Sequence, residues 1–559
     1  MSSDASTLPL RDAPVGSPTV RRRLLPGRAR AIAGSRERAW VGAVCLAVIV
    51  LCSVLVVVVS ANRPSLLTPT SHANYFPHWM AGPLGGLMPW FSRSSKLLKY
   101  LFSGALVAMY VCYALALRYV PRLRSRWAIA TVLAVHLVFF LSPPLALTDL
   151  FNYVNYGRME AVHSLNPYTT IPILEPHNDP SYALSNWHQL LSPYGPLFTI
   201  LTFVFVPLGV AGTFWAIKGL LIAASLGTVL LVWKCAKLLG RDPIAAIVLV
   251  GLNPVVLVWG LGGDHNDFLM VFCIVLGFYL LLRARARGAG RSTGAAPLAE
   301  PSAVPDVAEP RVASSSASNA QAAAAGVVTS PVERWTGGPL AERLRRWLLP
   351  LSGIEIAAGA AFVVATGIKA SGGVLIPVVL AGLLRTPRRL TQVLIGMVLA
   401  TLLTAAASLL AFGVHIPDLS TQSSLVTDVS VPNLIGLAIG AGGETKALHD
   451  LLTVALALSV LACCAQAWRR GAAVTASGWA SVALLVTLSW VLPWYVLWVL
   501  PMAALSSSRR LRATALAIGV YMIVAWAPAS GYLWDAIGFH PEKTSLGRLH
   551  QRYVKELLD

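Results

Sequence analysis

The sequence predicts an all-α polytopic membrane protein, and three observations carry that prediction. Of 559 residues, 56% are hydrophobic and only 12% are charged, about half the charged fraction of a soluble domain. Apolar runs of membrane-spanning length recur along the chain, and the mean hydropathy is +0.66. Arg clusters alternate with Arg-poor polar stretches between those runs, so the net charge of +20 reads as the positive-inside bias of cytoplasmic loops. The chain's expected surroundings are therefore membrane lipid, with no nucleic acid as partner. The 17 Trp and 15 Tyr suit interfacial belts. All seven Cys lie in apolar runs without metal-site spacing and read as small hydrophobes.

Taken in order, residues 1–38 are Pro-, Ser- and Arg-rich, and are expected to be a disordered cytoplasmic segment rather than a cleavable signal. The first half of the membrane domain is expected over 39–283, with early spans near 40–60, 98–117 and 127–147. A polar stretch, 149–194, follows the third span. The run 197–210 is short and ends near Pro207, which suits a re-entrant or interfacial helix among the loop helices of the outer face. Spans near 213–235 and 244–262 and a return to Arg283 complete this half.

An Ala/Ser/Pro/Gly-rich cytoplasmic linker is expected over 284–339, then the second half over 340–530 and a tail over 531–559. The second half begins with an amphipathic segment at Leu340–Trp347. It then makes two tight out-and-back hairpins, around Lys369 and around Pro493. Hydropathy gives about thirteen spans in all. That odd count puts the tail outside, whereas its Lys543, Arg548, Arg552 and Lys555 favour the inside; the side stays open.

The polar clusters converge on one face once spans alternate. Asp149 stands at the mouth of a span, where a carboxylate must be solvated or paired. On a helix it shares a face with Asn152, Tyr153, Tyr156 and Glu160, polar and aromatic as a sugar site requires, although a plain helix cap explains Asp149 equally well. Arg158 falls on the opposite side. Asp264, Asn266 and Asp267 flank His265, which suits phosphate or sugar-hydroxyl contact; a divalent cation there is the alternative to no metal at all, since this spacing is a poor ligand pattern. Lys369 and Lys218 are candidate phosphate ligands near membrane boundaries, against a snorkelling role. Trp494 and Tyr495 suit stacking on sugar or isoprenoid, or interfacial anchoring. No phosphate-binding loop or dinucleotide fingerprint occurs, so any activated group must arrive with the substrate.

The order of these motifs resembles that of the GT-C glycosyltransferases, and among them the alpha-(1→6)-mannopyranosyltransferases of the MptA/MptB type. The residues that carry the resemblance are Asp149, Tyr153 and Gly157 with Asn166-Pro167-Tyr168, then Ser192-Pro193-Tyr194-Gly195-Pro196. Asn253-Pro254, His265-Asn266-Asp267, Pro432-Asn433-Leu434-Ile435-Gly436 and Pro493-Trp494-Tyr495 follow. The resemblance implies a GT-C-type membrane domain in the plasma membrane with its site on the extracytoplasmic side. It also implies inverting transfer of mannose from polyprenyl-phosphate-mannose to a lipid-anchored alpha-1,6-mannan. By its place in the motif Asp149 would be the general base; His265, Lys369, Lys218 and Arg158 are the candidate donor-phosphate ligands, with a surface or loop position the favoured alternative for Arg158. Tyr153, Tyr156, Tyr168, Tyr194, Asp264, Asn266, Asp267, Asn433, Trp494 and Tyr495 would contact substrate. Glu160 lies roughly 16 Å along a helix from Asp149, too far for the carboxylate pair of a double displacement. The competing readings are a flippase for a lipid-linked sugar, or the same chemistry on another donor such as arabinose.

Overall fold

The computed structural model describes residues 26–61, 77–84, 87, 94–145, 149–292 and 352–558. The expected disordered N-terminus up to residue 25, the linker beyond 292 and the Leu340–Trp347 segment lie outside the described residues. Among those described, every regular element is helical, so the backbone polar groups are satisfied within each segment, as a bilayer demands.

Among the described residues, six helices are long and apolar enough to cross a membrane: Trp40–Ala61, Ser95–Tyr119, Pro196–Leu238, Asp267–Arg287, Pro387–Phe412 and Lys446–Arg470. A seventh arises if Arg509–Trp526 and Ser530–Ala536, bent by 76°, count as one. Five apolar segments, Ser125–Phe140, Gly353–Ile368, Ala370–Leu383, Ala473–Thr487 and Pro493–Leu505, are shorter. The count of about thirteen by hydropathy is thus not reproduced by the described helices, of which six or seven are of spanning length and five are shorter. A helix such as Gly353–Ile368, 16 residues, reaches about 24 Å, short of a hydrocarbon core of about 30 Å.

The breaks fall where side chains forbid an unbroken helix. The run after Pro196 winds into a 3-10 turn at Val206–Leu208 around Pro207, and Gly209, the first residue of the next helix, takes φ +72. This places the boundary where the short 197–210 run was expected to end. The third apolar run is helical only over Ser125–Phe140 and uncoils before the Asp149–His163 helix begins. That helix closes at Ser164, φ 53, with the Leu165 amide donating to the Met159 carbonyl at 2.8 Å and the Ser164 amide to Glu160 at 3.1 Å, a Schellman-type stop. The helix after Asp267 runs on to Ser292, past the expected end of the first half.

One continuous apolar core joins both halves, from the first span to the Pro493–Leu505 region. A small separate cluster of Leu190, Leu425 and Leu557 seats the C-terminal Ser545–Leu558 helix, and the Gln189 amide donates to the Leu557 carbonyl at 3.1 Å. The basic tail thus packs on the loops that follow Asp149, on the face where the polar clusters gather.

Candidate active site

Four breaks in helical structure meet at one place. The first is the start of the Asp149–His163 helix, whose N-terminal dipole suits a carboxylate. The second is the turn Gly262–Asn266, which follows a π-helical stretch at Val256–Leu261. There the Gly263 position admits no side chain: a Cβ would sit 2.3 Å from the Trp259 carbonyl oxygen and 2.5 Å from His265 Nε2. Asp264 next to it adopts φ 57, a left-handed conformation that Asp tolerates better than most residues. The third break is Lys369, extended between the Gly353–Ile368 helix and a 3-10 turn. The fourth is the 3-10 segment Pro493–Trp498.

Gly195 links two of these regions. Its amide donates to the Ile368 carbonyl at 3.1 Å, and a Cβ there would lie 2.2 Å from the Gly367 oxygen. The Ser192–Pro196 motif therefore braces the turn that presents Lys369.

The side chains form three charged units. His265 Nδ1 lies 3.0 Å from Asp149 Oδ2; a carboxylate accepts, so Nδ1 carries the proton. The imidazole is fully buried and stacks on the Trp494 indole at 3.4 Å and 7°, while Asp149 keeps 22% of its side-chain surface. Lys218 donates to Asp264 Oδ2 at 3.1 Å, with the Ser142 hydroxyl at 3.4 Å, and both charged partners are buried. Asp267 accepts from Lys369 at 2.8 Å, from Trp494 Nε1 at 3.2 Å and from Trp498 Nε1 at 2.6 Å. Lys369 lies over the rings of Tyr495 and Trp498, at 5.0 and 5.7 Å, and keeps 21% of its side-chain surface.

Around these units, the Tyr153 hydroxyl accepts from the Asn266 amide at 3.2 Å and its ring packs edge-on against Tyr194 at 4.7 Å. Among the described residues, His265 Nε2 and both polar atoms of the Asn266 carboxamide have no partner, so polar capacity is left at the centre of the cluster. No group of three His, Cys, Asp or Glu side chains among the described residues is arranged to hold a metal. The Asp264–Asp267 carboxylates are turned to lysines and indoles instead.

Several expected ligands sit elsewhere. Arg158 is not at the cluster: Nε and Nη2 grip the Asp179 carboxylate at 2.8–3.2 Å, and His163 adds a contact at 2.8 Å. Burial alone would raise the Asp179 carboxyl, but the bonds from Arg158, Ser181 and His163 outweigh it and hold it well below the usual range. Lys218 reaches the cluster, but its full burial against Asp264 leaves it no surface for a phosphate. Tyr156 donates to the Leu190 carbonyl at 2.7 Å, and Tyr168 to the Tyr194 carbonyl and Thr199 at 2.9 Å; both pin the loops. Asn433 bridges the Asp428 carbonyl and the Glu444 amide within its own loop, at 2.8 and 2.9 Å. Trp498 was not among the expected residues, although its place one helical turn after Trp494 was a usable signal.

Such a cluster, with one accessible carboxylate and one accessible ammonium at the broken ends of membrane helices, defines a polytopic membrane protein with a polar site built from helix termini. Comparison with known families is specific. The family model for alpha-(1→6)-mannopyranosyltransferase, N-terminal domain, matches residues 39–385, and the MptB C-terminal domain matches residues 426–538. The chain belongs to the alpha-(1→6)-mannopyranosyltransferase family. Two curated relatives are both alpha-(1→6)-mannopyranosyltransferase A. The protein of Mycobacterium tuberculosis is 33% identical over 152 residues, which is 26% of this chain and 28% of the relative. That of Corynebacterium glutamicum is 23% identical over 158 residues, 28% of this chain and 32% of the relative. The aligned stretches thus cover less than a third of either relative. No solved structure matches.

Proposed function

We propose that this chain is a mannosyltransferase that moves mannose from polyprenyl-phosphate-mannose to a lipid-anchored alpha-1,6-mannan at the outer face of the plasma membrane. One observation carries the reading: among the described residues Asp149 keeps an open edge and a single side-chain partner, whereas Asp264 and Asp267 are neutralised by Lys218 and Lys369. Asp149 is thus the carboxylate free to accept a proton.

In the proposed step, the acceptor hydroxyl gives its proton to Asp149 while its oxygen attacks the anomeric carbon of the donor. The bond from that carbon to the phosphate oxygen breaks, and its electron pair leaves with the polyprenyl phosphate. Lys369, the accessible cation, faces that developing charge. His265 holds Asp149 in place through Nδ1 and is itself fixed by stacking on Trp494. Glu160 sits near the far end of the same helix, so the arrangement supports a single displacement with inversion.

The test uses membranes containing the protein, polyprenyl-phospho-mannose and a short alpha-1,6-mannoside. Wild type forms the extended mannoside, and Asp149→Asn does not. Full turnover by that variant removes Asp149 from the role. Movement of donor across a bilayer without any sugar transfer identifies a flippase and sinks the enzyme reading. Preference for an arabinosyl donor keeps the chemistry and overturns the sugar.

A further inference from the structure

A cavity of about 600 Å³ lies outside the Asp149 cluster. It opens between the 426–429 loop, the end of the Arg509–Trp526 helix, the bent Ser530–Ala536 helix and the C-terminal Ser545–Leu558 helix. Its volume falls in the range of small-molecule sites. Three half-buried indoles, Trp490, Trp526 and Trp534, line it together with Asp428, Glu542 and Gln551. The Trp526 Nε1–H is buried and has no acceptor among the described residues. Gln551, from the C-terminal helix, reaches the Asp428 carboxylate only at 3.5 Å, a weak contact that a better donor displaces.

These groups favour one ligand chemistry. Flat indole faces take the apolar C–H face of a pyranose, and carboxylates with a spare N–H take its hydroxyls. A polyprenyl chain would leave the half-buried Asp428 and the Trp526 N–H in a dry site with no partner, which is costly. An anionic headgroup would face three carboxylates in the lining, Asp428, Asp535 and Glu542, against the one ammonium of Lys555. The cavity is also continuous with the cluster along the chain: Trp490 packs edge-on against Trp187 at 6.2 Å and stands four residues before Trp494, whose ring stacks on His265.

We propose that this cavity is a distal subsite for a neutral hexopyranosyl chain, the non-reacting part of the acceptor glycan. This rests on the mannosyltransferase reading for the identity of the glycan but not for the existence of the site. The subsite lowers KM for long acceptors and leaves short ones to the catalytic cluster alone.

The experiment compares an alpha-1,6-linked mannose dimer with the hexamer, using the full-length protein in detergent. Wild type has a KM about tenfold lower for the hexamer, the scale of one buried aromatic anchor. Trp534→Ala and Asp428→Asn each raise the hexamer KM to that of the dimer, while kcat and the dimer kinetics stay as in wild type. A length preference that persists in both variants overturns the subsite. A second arm needs no turnover: tryptophan fluorescence titration of Asp149→Asn protein with the hexamer. Saturable binding that is lost in Asp149→Asn/Asp428→Asn supports the subsite even where wild-type protein shows no transfer, a result that counts against the enzyme reading alone. Absence of binding, or displacement of the hexamer by a short-chain polyprenyl phosphate, overturns it.

Discussion

At the first turn of the Asp149–His163 helix, one carboxylate keeps 22% of its side-chain surface and, among the described residues, a single side-chain partner, His265. Toward the other end, Arg158 and His163 close on Asp179, which keeps 1%. The same short helix thus presents an available charge at one end and helps to saturate one at the other. Availability separates them more than charge does. A carboxylate that a guanidinium and an imidazole already satisfy has no lone pair left for a substrate proton, and its role is to fix the loop that follows the helix. One with an open edge is positioned for acid–base work.

The sharpest way to break this contrast is to neutralise the open end. Asp149→Asn keeps the shape and the His265 contact but removes the base. Transfer is expected to fall by about 10³-fold, within the range for loss of a general base, while the thermal unfolding temperature in detergent stays within error of wild type. A drop in unfolding temperature that accounts for the lost activity would place Asp149 with the structural carboxylates. Gly263→Ala tests whether the open end depends on its supporting turn. The added Cβ meets the Trp259 carbonyl and His265 Nε2, so the imidazole must move off Asp149. A displacement of about 1 Å costs about 100-fold in rate, read as kcat with donor KM little changed. Wild-type kcat in this variant would show that His265 does not position the base.

Much of the open end was legible in the sequence. Asp149, Tyr153, the 264–267 run, Lys369 and Trp494 converge because each ends or begins an apolar run on the same face, and alternating spans already brings such ends together. What remained hidden depended on distances across the fold. Arg158 was expected at a phosphate because its partner Asp179, twenty-one residues on, is invisible until the intervening 3-10 turns bring it back. Lys218 looked like a mouth residue because hydropathy does not reveal that Asp264, in a left-handed turn, points at it. Tyr156, Tyr168 and Asn433 have the composition of sugar ligands, yet their polar atoms go to backbone carbonyls and amides that no spacing rule locates.

At the saturated end, Asp179→Asn leaves Arg158 and His163 without their anion. The expected loss is about 2–3 kcal/mol of stability, the cost of stranding a largely buried partner, with transfer per folded molecule unchanged. The pH dependence follows from the depressed Asp179 carboxyl. Its contribution is fully present above the unfolded value of about 3.9 and is lost as pH falls through the lower folded value. Wild type therefore loses this contribution below about pH 4, and the variant has no such acid limb. Equal acid sensitivity in the two proteins would assign the clamp no energetic role.

Glu175 lies beside that clamp and titrates in the opposite sense. Burial pushes its carboxyl up to about 8, against a lowering by the nearby Asn155 amide; Asp179 adds to the rise and Arg158 opposes it. A carboxyl with a raised folded pKa binds its proton more tightly in the folded state. Its stability contribution is complete below the unfolded value of about 4.3 and is lost as pH rises through about 8. Glu175→Gln keeps the neutral shape at every pH. Unfolding temperatures measured between pH 4 and pH 9 should coincide at the acid end and diverge upward for the variant as pH rises above about 4.3. Transfer per folded molecule should not change at any pH, because the Asp149 end of the helix is built from other residues. Parallel unfolding curves would mean that Glu175 is hydrated in solution, and a shifted pH–rate profile would mean that the two ends of the helix are coupled after all.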